Sequence, residues 1–124
     1  MITVELVARK LLAYPKLIGA LEQVVFEQEE VLRERRDQFK QMEGKYLLQE
    51  NGPVNGKNEA IRSAQLYNLV APERILIEMA EKEVAQSKIQ LAVERNNYRS
   101  WLAIGEMMSA LKREEIDGEG DNEC

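Results

Sequence analysis

Two apolar ladders with a seven-residue step, one on each side of a Gly- and Asn-rich break, constrain this chain more than any other feature. The first is Val4, Leu11, Ile18, Val25, Leu32, Phe39 and Tyr46; the second is Val70, Ile77, Val84, Leu91 and Tyr98. An α-helix turns once every ~3.6 residues, so a repeat of seven keeps one stripe facing one partner over many turns. The pattern predicts an all-α chain: a long antiparallel helical hairpin with kinked arms, assembling into a helical bundle. Residues 1–112 form the single hairpin domain in this reading, and residues 113–124 a disordered acidic tail.

Residue chemistry excludes more than it suggests. Histidine is absent and the single cysteine is Cys124. Cys/His zinc sites, Ser-His-Asp and Cys-His nucleophile arrangements and imidazole acid–base chemistry are therefore ruled out. No catalytic residue, metal or cofactor is expected, and the protein is read as no enzyme. No run reaches the ~20 apolar residues that span a bilayer. Glu5, Arg9 and Lys10 interrupt the N-terminal apolar stretch, so no signal peptide is expected either. The expected location is the cytoplasm, with no membrane partner.

The net charge of −5 is localised. Residues 113–124 hold Arg113 against Glu114, Glu115, Asp117, Glu119, Asp121 and Glu123, which leaves 16 basic and 16 acidic residues in 1–112. A neutral body disfavours both a nucleic-acid clamp and a nucleic-acid mimic.

The punctuation of the ladders sets the expected boundaries. Thr3 is a candidate N-cap, with Glu5 near the positive end of the helix dipole. Pro15 would ordinarily end a helix, yet the ladder keeps its frame across it, which predicts a kink or a short break. Gln28 and Arg35 are polar where the seam wants apolar residues, a pattern that can fix register. The stretch Gln49-Glu50-Asn51-Gly52-Pro53-Val54-Asn55-Gly56 should reverse the chain. Asn55 or Asn58 can cap the next helix. A break at Ala71-Pro72 then divides the second arm into helices near 57–70 and 73–112.

A turn centred near residue 51 makes facing residue numbers sum to roughly 103. Phe39 would lie near Ala64, Leu32 near Ala71, Ile18 near Ala85 and Val4 near Arg99. Residues 102–111 would overhang the first arm, although they are apolar on nearly every side. Burying a Leu- or Met-sized side chain stabilises by roughly 1.5–3 kcal/mol, so an open end of this kind should recruit a partner. The expected interface is Leu102, Ile104, Met107, Met108 and Leu111 together with Val4, Val7 and Leu11, and a homodimer forming a four-helix bundle closes it most simply. The competing arrangement folds residues 1–14 over residues 101–111 within one chain. Leu17, Val24 and Val31 widen the first stripe beyond what one facing helix buries.

Other candidate chemistry is thinner. Glu27, Glu29, Glu30 and Glu34 beside Arg33, Arg35 and Arg36 read as a solvated face of i to i+4 ion pairs, since carboxylate di-metal bundles use Glu-x-x-His. The spaced acids of 117–123 lack the twelfth-position glutamate of a calcium loop. Tyr98, Arg99 and Trp101 with Arg62 form the alternative ligand site, a surface on which a nucleotide could stack. Arg33, Arg35, Arg36 and Lys40 are the whole basis for a DNA-binding alternative.

The stretch Asn55-Gly56-Lys57-Asn58-Glu59-Ala60-Ile61-Arg62, a helix punctuated near Pro72, and a long Ala/Leu/Glu helix ending in Tyr98-Arg99-Ser100-Trp101-Leu102 resemble a group of small helical proteins of bacteriophages and prophages. Those carry a similar Asn-Gly-Lys-Asn-x-x-x-Arg element entering the second arm of a hairpin. The resemblance covers roughly residues 20–105. It implies a mobile-element origin, action inside a bacterial cell and a non-catalytic role. The resulting expectation is an oligomerising interaction protein that binds an unidentified protein partner. The alternatives are a nucleotide sponge acting against defence signalling and an accessory DNA-binding protein of phage recombination.

Overall fold

The structure is a computed structural model that describes the backbone of residues 1–122 and the side chains of residues 1–118. Three helices account for nearly all of it: α1 (Val4–Leu48), α2 (Glu59–Leu69) and α3 (Ala71–Asn122). The fold is all-α, and α1 packs against α3 as a helical hairpin.

The helix ends follow their capping chemistry. Thr3 Oγ1 accepts from the Leu6 amide at 3.1 Å, and Asn58 Oδ1 accepts from the Ile61 amide at 2.9 Å. Each satisfies one first-turn donor that has no partner within its helix. Of the two candidate caps for α2, Asn58 takes the role because Asn55 is used elsewhere: Gln65 Oε1 accepts from the amides of Asn55 and Gly56, and Gln65 Nε2 donates to Asn55 Oδ1. Arg62 Nη1 donates to the Gly56 carbonyl at 3.1 Å, so the Asn-Gly-Lys-Asn-x-x-x-Arg element is a folded loop-to-helix junction.

The breaks differ in kind. α1 runs through Pro15 without interruption, and no break falls there. Between α2 and α3 the break is a single residue, Val70, whose amide donates to Leu66 O and whose carbonyl accepts from the Arg74 amide. Pro72 stands just inside α3, where its missing N–H costs least. α3 is also longer than its apolar pattern requires and continues as helix through residues 113–122, the stretch read as a disordered tail; residues 123–124 lie outside the described residues.

The chain divides into two compact units, each containing a piece of α1 and a piece of α3. In the unit of residues 24–87, Leu32, Ala80 and Val84 form the core with Ile77 packed against it, and Arg36 Nη2 meets Glu81 Oε1 at 3.4 Å. Within the unit of residues 1–23 and 88–124, the Tyr14 and Tyr98 rings lie 6.2 Å apart and Arg95 meets Glu22 at 3.2 Å. Both pieces of α1 run antiparallel to their partners.

The register departs from the expected one. Leu32 packs on Ala80 and Val84, not Ala71, and Tyr14 on Tyr98, so each α1 residue faces a position roughly ten residues further along α3 than a turn at residue 51 would give. Loop residues 49–58 and the separate helix α2 consume chain that the estimate assigned to the two arms. Residues 102–111 therefore do not overhang; they run beside the start of α1.

Candidate interaction site

In the unit of residues 1–23 and 88–124, the first turns of α1 and the later turns of α3 bound an apolar groove of about 730 Å³. The α1 wall is Val4, Val7, Ala8 and Leu11. The α3 wall consists of Leu102, Gly105, Glu106, Met108, Ser109, Ala110, Lys112 and Arg113. At Gly105 the two walls come within contact distance: a Cβ there would stand 3.5 Å from Val7 Cγ1 and 3.6 Å from Leu11 Cδ1. Only Val7 is buried, at 5% exposure, while Val4 keeps 69% and Leu102 38%.

Five of the eight expected interface residues, Val4, Val7, Leu11, Leu102 and Met108, come together here. Ile104, Met107 and Leu111 do not line the groove. Successive residues turn by ~100° about a helix axis, which carries these three to the opposite flank of α3. Met107 and Leu111 are 64% and 60% exposed there. Residues 4–11 do lie against residues 102–113 within one chain, yet Val4, Leu12, Leu102, Met107 and Leu111 stay exposed, so that arrangement covers one face only.

Hydropathy overlooked Ala8, Gly105, Glu106, Ser109, Ala110, Lys112 and Arg113 as groove residues. Small and charged residues carry no apolar signal of their own. The helical spacing of Leu102, Glu106, Ser109 and Arg113 was the available clue.

The alternative ligand residues are divided between the two units. Arg62 belongs to the unit of residues 24–87 and its guanidinium holds the Gly56 carbonyl. Tyr98 stacks at a tilt on Tyr14, and Arg99 Nη1 donates to Asn96 Oδ1 at 3.5 Å. The Lys10 ammonium lies 5.8 Å from the centre of the Trp101 ring. The basic residues of the DNA-binding alternative are interleaved with acceptors: Arg33 pairs with Glu30, Arg35 with Gln38 and Arg36 with Glu81. Among the described residues, no group of three acidic or cysteine side chains is placed to hold a metal ion, and no helix is long and apolar enough to cross a membrane.

No protein-family model matches the chain, and no curated protein or solved structure matches it.

Proposed function

We propose that this chain is a non-catalytic helical interaction protein that self-associates, with a dimer as the simplest closed form, and binds another macromolecule. The observation that carries the reading is the open apolar groove of the unit of residues 1–23 and 88–124, whose lining residues Val4 and Leu102 stay 69% and 38% exposed.

The surface is also apolar where a partner would cover it. Large side chains such as Val4, Leu17, Val31, Ile89, Met107 and Leu111 are exposed at 40% or more. Action in a bacterial host, as a phage-type protein, rests on the Asn-Gly-Lys-Asn-x-x-x-Arg resemblance alone. Size-exclusion chromatography with light scattering at ~100 μM should give a mass above one chain, because association is driven by concentration. A strict monomer at that concentration sinks the proposal.

A further inference from the structure

The α3 wall of the groove carries a stripe whose order is its own complement when reversed. Leu102, Glu106, Ser109, Arg113 and Ile116 follow one another at steps of four, three, four and three, which places them along one line of the helix. The first four line the groove, and Ile116 continues the line at 59% exposure. Turned end for end about Ser109, the stripe sets Leu102 opposite Ile116, Glu106 opposite Arg113 and Ser109 opposite itself.

The geometry points to this stripe as the contact between two copies of the chain, packed α3 against α3 in antiparallel fashion about a two-fold axis at Ser109. The inference rests on the self-association reading above and names its surface. A two-fold interface must be self-complementary, because the contact that residue i makes to j is repeated from j to i. This stripe meets that condition in charge, with two Glu106–Arg113 pairs per dimer, and in shape, with a small serine where the helices approach closest. The flanking wall of Val4, Ala8 and Leu11 would lie beside the incoming helix, so each copy contributes two helices to a four-helix contact. Met107 and Leu111, on the other flank of α3, remain free for a different partner.

Reversing one charge at a time tests the arrangement. In a Glu106→Arg dimer arginine meets arginine twice, and in an Arg113→Glu dimer glutamate meets glutamate twice. Both residues are exposed, and within one helix they stand seven apart, too far to pair with each other, so folding should be unaffected by circular dichroism. By sedimentation at low salt, each variant alone should dimerise at least about tenfold more weakly than the parent chain. An equimolar mixture should recover, because the mixed dimer restores two opposite-charge pairs. Variants that dimerise as tightly as the parent, or a mixture that fails to recover, would overturn this arrangement and leave self-association standing. A parent chain that is monomeric at ~100 μM would remove both.

Discussion

Arg74 lays its guanidinium over the ring of Tyr67, 3.6 Å from the ring centre, and donates from Nη1 to the carbonyl of the same residue at 3.1 Å. The two residues bracket Val70, the one-residue break between α2 and α3, and Val70 itself is 2% exposed. One side chain thus supplies a donor and a flat cation across the one-residue break between the two helices. Arg74→Ala should cost about 1–2 kcal/mol in urea denaturation followed by circular dichroism. Arg74→Lys should recover less than half of that, since an ammonium lacks the planar fork. A parent-like midpoint for the alanine variant would show that the clasp contributes nothing.

The same substitution should have opposite signs at two glycines of one unit. At Gly56 a Cβ would stand 2.8 Å from Ile61 Cβ and 3.2 Å from the Arg62 backbone nitrogen, while at Gly44, inside α1, it would meet nothing within 4 Å. Gly56→Ala must push the loop off the first turn of α2, at a cost of about 1–3 kcal/mol. Gly44→Ala only removes backbone freedom from the unfolded chain and should add roughly 0.5–1 kcal/mol. Thermal melting of both variants checks the pair, and equal shifts would contradict the packing around Gly56.

The caps and the hairpin were legible because they are local: Thr3, Asn58 and Pro72 act on residues within a turn, and the ladders need only counting. The register was not. It depends on how much chain the reversal consumes, and the Gln65 and Arg62 bonds that fold residues 55–62 into a compact junction leave no periodic trace. The groove was half legible for a related reason: its apolar members announce themselves, whereas Gly105 and Ser109 matter through the space that they leave open. At Pro15 propensity left a kink or a short break open because it weighs one residue, and the helix runs on because the ladder through Leu11 and Ile18 holds the whole face.

Gln28 occupies a seam position of α1, and its Oε1 is buried without a hydrogen-bond partner among the described residues. A buried acceptor left unpaired costs free energy that an apolar side chain of similar size does not. Gln28→Leu should therefore stabilise the fold by about 1 kcal/mol, measured as a higher urea midpoint. If the glutamine instead fixes the register, the leucine variant should lose dispersion in its amide NMR spectrum even as its midpoint rises. A lower midpoint with an unchanged spectrum would mean that the polar group is satisfied in solution.

The two Asn-Gly pairs of the reversal should age at different rates. Deamidation begins when the amide nitrogen of the glycine attacks the side-chain carbonyl carbon of the asparagine, so both groups must be free to approach. At Asn55-Gly56 neither is: the Gly56 amide donates to Gln65 Oε1 at 2.9 Å, and Asn55 Oδ1 accepts from Gln65 Nε2 at 3.1 Å. Asn51, by contrast, is exposed and has a φ of 53°, a left-handed conformation that asparagine adopts in turns. Peptide mapping by mass spectrometry after incubation at mildly alkaline pH should find Asn51 converted several-fold faster than Asn55. Gln65→Ala should erase most of the difference by releasing Asn55 without touching Asn51. Equal rates in the parent chain would mean that the Gln65 clamp does not persist in solution.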